Sequence, residues 1–188
     1  MALGGVFMSD TDGNIGTNST TSTEKVTGLL FDISKQAKFF EEGAGLAVKD
    51  KLQGNVIEIN SMDDLKELGI AAPSDDPKND LLFGVPYYHI NHFFSIQGDN
   101  GRLFIMFANC GADWNAIDQM QHAAHGMINQ LGVWTEQSLW KQTDPEAGTY
   151  SIDLVADLQS KASSLADENA PLSILLNANS AVIATSDE

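Results

Sequence analysis

All four histidines of this chain occur in pairs spaced H-x2-H, His89 with His92 and His122 with His125, and its single cysteine, Cys110, stands between an apolar run and a helix start. Two such histidine pairs contain the donors of a four-ligand metal site, and spacing of three on a helix sets two rings on neighbouring positions. His122 and His125, however, lie opposite the apolar stripe of their helix and should face water. His89 and His92 flank the apolar face of another helix. The pairs need not meet, so the expectation is surface and boundary histidines, with no metal and no cofactor.

A thiol at a helix start is where amide dipoles stabilise a thiolate, which is the setting of many nucleophilic cysteines. The sequence around it, NCGADW, supplies neither a nearby base nor an arginine, and its single glycine makes no phosphate cradle. A small buried cysteine is expected, and no catalytic residue is assigned. DTDGN (10–14) begins like a calcium loop, with Asp10, Asp12 and Asn14 at the first, third and fifth positions. Ile15 then stands where the loop needs glycine and Thr21 where it needs a bidentate carboxylate, so the match fails. Asn18-Ser19-Thr20 fits a glycosylation acceptor, which matters only in a secreted chain. Signatures of serine hydrolases, kinases and zincins are absent.

The elements that would position these residues follow from periodicity. VTGLLFDI (26–33) and NVIEIN (55–60) read as strands. Ser61 and Asp64 form a short-armed capping box for two helical turns closed by Gly69, and APSDDPKND (72–80) reads as a loop. The spacing of Tyr87, Ile90, Phe93 and Phe94 predicts a helix over 86–97, with Pro86 in its first turn. RLFIMFA (102–108) is a buried strand. A helix capped by Asp113 follows, its apolar stripe running from Ile117 through Met120, Ala124, Met127 and Ile128 to Leu131. A strand is expected at 133–140 and a helix from about Ser151, with Val155, Leu158, Ala162 and Leu165 inward and Asp157 pairing Lys161 outward. Asn169 and Pro171 end that helix, and LSILLNA (172–178) reads as a closing buried strand. The order β, α, β, α, β over 102–178 predicts parallel strands in an α/β fold with a mixed sheet, flanked by helices.

Residues 9–24 hold eight Ser or Thr and one large apolar side chain, Ile15, so they read as a tether that cannot bury enough surface to order itself. Ahead of it lies an apolar tip, Ala2, Leu3, Gly4, Gly5, Val6, Phe7 and Met8, with nothing local to pack on. The domain reading is therefore an arm and tether at 1–24, one domain at 25–180 and a tail at 181–188. The apolar fraction is 43%, yet no run approaches the roughly 20 residues of a bilayer span. The start lacks the basic region of a secretory signal, and one cysteine leaves no internal disulfide. Ten basic against 26 acidic residues give a net charge of −16, which disfavours nucleic acid and anionic membranes as partners. The alternative to a structural role is a doubly wound enzyme or ligand-binding protein with its site near Asn109, Cys110 and Asp113.

The apolar amino end, the polar tether, VPYYHINHFF, GRLFIMFA and DLQSKASSLADENAPLSILLNA, taken in order, resemble the sheath proteins of contractile phage tails. The likeness is nearest to the sheath-like proteins of Bacteroides-type phages and related contractile injection systems. It implies a non-catalytic subunit of a virion tail or injection particle, assembled in the bacterial cytoplasm from six-fold rings of its own copies around a tail tube protein. It implies too that Ala2–Met8 cross to an adjacent copy and add a strand to a sheet there. Family members are longer and their second half supplies more of the sheet, so the resemblance predicts an unpaired sheet edge in this chain.

Overall fold

The computed structural model describes residues 26–36, 39–41, 44–73, 77–97, 101–111, 113–138, 141–144, 149–151 and 153–177. The arm and tether at 1–24 and the tail at 181–188 lie outside the described residues. The fold is α/β, a mixed five-stranded sheet with helices on both faces.

Strand β1 (Val26–Asp32) lies at the centre of the sheet, between β3 (Arg102–Ala108) on one side and β4 (Gln130–Trp134) on the other, parallel to both. β2 (Val56–Ile59) adds antiparallel to β3, and β7 (Ser173–Leu176) adds parallel to β4, giving the order β2-β3-β1-β4-β7. β1 and β3 are apolar nearly throughout because parallel strands in the middle of such a sheet are covered on both faces. The strand expected at 133–140 is β4, which ends at Trp134, and a separate hairpin, β5 (Lys141–Asp144) with β6 (Thr149–Ser151), follows where the sequence forecast no strand.

On one face, α1 (Ala44–Leu52), α2 (Met62–Glu67) and α3 (Pro77–Gln97) cover β1, β2 and β3. The core there is built on Phe107, whose ring stacks on Phe31 at 5.0 Å and meets Phe39, Phe40 and Phe83. On the other face α4 (Asn115–Ala123) and α5 (Asp153–Asp167) press Ile117, Met120, Leu158 and Leu165 against Leu30, Met106, Leu131 and Val133. Lys161 ties these two helices together, its ammonium donating to Asp118 at 2.5 Å and to Asn115 at 2.9 Å, where the sequence predicts an outward pair with Asp157.

The capping box forms as read. The Ser61 Oγ accepts from the Asp64 N–H, the Asp64 carboxylate accepts from the Ser61 N–H, and Gly69 closes the turn at φ +85°. Four expectations are corrected, and one helix goes beyond them. α3 starts at Pro77, so Pro86 stands inside it, where it lacks a donor for the helical ladder. α1 is a helix with no sequence forecast. α4 is preceded by Trp114 at the capping position, while Asp113 accepts from the Asn115 N–H at 3.0 Å.

The same helix ends at Ala123, because His125 and Gly126 both take the left-handed conformation, at φ 53° and 75°. The buried Gln121 side chain then holds the turn, donating to the Ile128 and Ala170 carbonyls and accepting from the Ile128 N–H. Ile128 and Leu131 still reach the same core as Ile117 and Met120, but from a loop and a strand, so β4 begins at Gln130. Finally, β7 is not a buried strand. Ile174 and Leu176 are half-buried, while Ser173 and Leu175 are exposed.

Candidate functional site

Taken in chain order, the four parallel strands are arranged second, first, third, fourth across the sheet. That order reverses direction beside β1, and the carboxyl ends flanking such a reversal are where doubly wound folds bind ligands. Asp32, the last residue of β1, stands there and is 1% exposed. Its Oδ1 accepts from the backbone N–H groups of Ser34 at 2.9 Å and Cys110 at 3.0 Å. Its Oδ2 accepts from the Ser34 hydroxyl at 2.9 Å, the Thr135 hydroxyl at 2.6 Å and the Gln137 amide at 2.7 Å. Burial pushes the carboxyl up, but the bonds from Thr135, Gln137, Ser34 and Cys110 together outweigh it and hold the group below its ordinary value. The carboxylate thus ties the ends of β1, β3 and β4 to one another, and all its donors belong to the chain itself.

Cys110 sits beside this carboxylate. Burial, and then the negative charges of Asp32 and Asp113, push its thiol up to about 12, so it is protonated at neutral pH. Its Sγ lies 3.9 Å from the Ala108 carbonyl, and its own carbonyl accepts from Gln137 at 3.3 Å. This is the reverse of the electropositive, open setting that activates a thiol. Asn109 and Asp113, the other residues of that region, are exposed and serve local turns: the Asn109 Oδ1 accepts from the Gly111 N–H at 3.1 Å.

The two histidine pairs are not brought together. His122 lies in the last turn of α4 and His125 stands in the turn after it, both exposed, whereas His89 and His92 are exposed on α3. There Tyr88, 64% exposed, stacks parallel on His92 at 6.1 Å and meets His89 edge-on at 5.5 Å. Burial and then the neighbouring His92 hold His89 below its usual value. Among the described residues no group of three or more His, Cys, Asp or Glu side chains gathers for a metal. Of the aromatic rings on α3 and β3 between residues 87 and 107, Phe94, Phe104 and Phe107 are buried, Tyr87 and Phe93 half-buried, and Tyr88 lies outside the core.

The other candidate region is β7. Among the described residues, nothing pairs with its outer edge, and apolar hollows flank it on both faces. On the α5 side, Val155, Leu158, Ala162, Leu172, Ile174 and Leu176 line a hollow of about 380 Å³, and Val155, expected inward, is 43% exposed there. On the α3 side, Leu29, Gly132, Trp134, Leu175 and the His89 ring line another of about 310 Å³. Leu175 is 63% exposed above it. The end of β7 is clasped to β4: the Asn177 side chain accepts from the Thr135 N–H at 2.8 Å and donates to the Thr135 carbonyl at 3.0 Å.

Ala2, Leu3, Gly4, Gly5, Val6, Phe7 and Met8, the predicted subunit-interaction residues, lie outside the described residues. Sequence reasoning missed Asp32, whose signal was a lone carboxylate closing an otherwise apolar strand. It missed the hollows as well, since they arise from how α5 and α3 sit beside β7. Among the described residues no helix is long and apolar enough to cross a membrane. Comparison of the chain with protein families, curated proteins and solved structures finds no match.

Proposed function

We propose that this chain is a structural subunit of a contractile sheath, assembling with copies of itself into rings around an inner tube by donating the strand Ala2–Met8 to the open edge of β7 in a neighbour. The observation that carries this reading is the pair of hollows flanking that edge. A strand added there gains main-chain hydrogen bonds from β7, while its alternate side chains enter apolar space above and below the sheet. Such a strand must be apolar on both faces, hence a continuous run and not an alternating one. Ala2–Met8 contains no polar side chain.

The sheath reading also suits the carboxyl-end region, where the Asp32 carboxylate is engaged by the chain's own donors and the Cys110 thiol is held protonated. The role proposed is mechanical and non-catalytic, with further copies and a tube protein as partners. Negative-stain electron microscopy of the purified chain over a range of salt concentrations tests it. Rings or tubes are expected from the intact chain, and a folded monomer from the chain lacking residues 1–24. An intact chain that stays monomeric under all conditions refutes the reading, and so does a shortened chain that assembles as well as the parent.

A further inference from the structure

The two histidine pairs share one spacing and meet different fates in the fold. His89 and His92 stand inside α3, with helix on both sides of them. His122 lies in the last turn of α4, and His125 follows the end of that helix in the left-handed conformation, at φ 53°. Only the first pair therefore keeps the helical relation that sets residues three apart side by side, with Cβ atoms about 5–6 Å from one another. Two imidazole nitrogens that bind one ion at about 2.1 Å in tetrahedral geometry lie about 3.4 Å apart, a separation that rings on such a pair can reach by turning about their side-chain bonds.

The setting on α3 suits these rings to a cation. Both are exposed, and their ring neighbour Tyr88 is itself 64% exposed, so the rings can turn without opening the core. Burial, and then the nearness of His92, hold His89 below its usual value, which leaves that ring neutral and able to ligate at pH 7. From Leu81 to Gln97 the helix carries no Asp, Glu, Lys or Arg. No carboxylate on the helix itself competes for the ion there, and no ammonium repels it. The chain as a whole, at a net charge of −16, draws cations toward its surface.

We propose that His89 and His92 chelate one divalent cation of the borderline class that imidazole prefers, Zn2+, Ni2+ or Cu2+, as a two-point site on the surface of α3. Among the described residues no third His, Cys, Asp or Glu gathers with them, so the remaining coordination positions fall to water or to a ligand brought by another molecule. Mg2+ and Ca2+, which take oxygen ligands, are not held there. The inference concerns α3 alone and stands apart from the sheath reading.

The test is isothermal titration of the whole chain with Ni2+ at pH 7.5, in excess Mg2+ to saturate the carboxylates of this acidic protein. Cys110 is buried and offers no competing thiol. One Ni2+ per chain is expected. The second ring binds intramolecularly, at an effective concentration of order millimolar, so His89→Ala or His92→Ala should each weaken binding about tenfold or more. His125→Ala removes the same kind of ring from the other pair and should leave the affinity unchanged. Circular dichroism checks that the variants keep their helices. A His92→Ala chain that binds as tightly as the parent overturns the site, and so does a His125→Ala chain that loses affinity to the same extent. A parent chain that takes up no Ni2+ at millimolar concentration overturns it as well.

Discussion

Replacing Asp32 by asparagine removes one charge and almost no volume, and so isolates the carboxylate that joins three strand ends. The amide oxygen can stand in for Oδ1 and keep the Ser34 and Cys110 N–H bonds. The amide nitrogen then faces the Ser34 and Thr135 hydroxyls, which can rotate to accept. It also faces the Gln137 amide nitrogen, placed at 2.7 Å from Oδ2, which is a donor and cannot. A hydrogen bond to a charged group contributes about 1.5–3 kcal/mol, and a donor left buried adds a penalty of similar size, so a loss of about 3 kcal/mol is expected. That is a large part of the roughly 5–15 kcal/mol that holds a domain together. Urea denaturation at pH 7 should show a lower midpoint with an unchanged slope. The pH dependence gives an independent check. The folded-state carboxyl titrates below its unfolded value, near 3.9, so its contribution is complete above about pH 5 and disappears as pH falls through the folded value. The gap between parent and variant should therefore be widest at neutral pH and close in acid. A gap under about 0.5 kcal/mol at pH 7, or one that stays constant down to pH 3, refutes the proposed role of this residue.

Three further outcomes are expected. With its thiol pushed up to about 12, Cys110 should react with a maleimide at pH 8 roughly a thousandfold more slowly in the native chain than in urea, as followed by mass spectrometry. Gly69→Ala should cost about 1–2 kcal/mol in thermal or urea unfolding. The residue holds φ +85°, and a methyl group there would lie 2.5 Å from the Val48 Cγ1. Leu175→Lys, at an exposed position, should leave stability within about 0.5 kcal/mol yet abolish rings or tubes in electron micrographs, because it places a charge on the edge proposed to receive Ala2–Met8.

Elements with local signals were legible. β1, β2 and β3 declare themselves by apolar density or alternation, and Ser61 with Asp64 marks its helix through contacts three residues apart. α4 misled because Ile128 and Leu131 continue its 3.6-residue spacing although they reach the core from beyond a left-handed turn. Pro86 suggested a helix start and concealed the turns before it. The hairpin KQTD with TYS carries no apolar pattern at all. Asp32 was unreadable for a different reason: its partners Cys110, Thr135 and Gln137 lie 78, 103 and 105 residues away. A tertiary hub of this kind leaves only one polar letter at the end of a greasy run.

The place of β1 has a consequence for how the domain bears load. Tension applied through the chain ahead of Val26 and resisted beyond Asn177 acts at opposite ends of parallel strands, since β1, β4 and β7 run the same way. Such a pull slides β1 lengthwise between two neighbours, straining its rungs to β3 and β4 simultaneously instead of unzipping them one by one. The domain is therefore stiffest along the line joining its two exits and softer to a sideways tug on β7, which among the described residues a single ladder holds to the sheet.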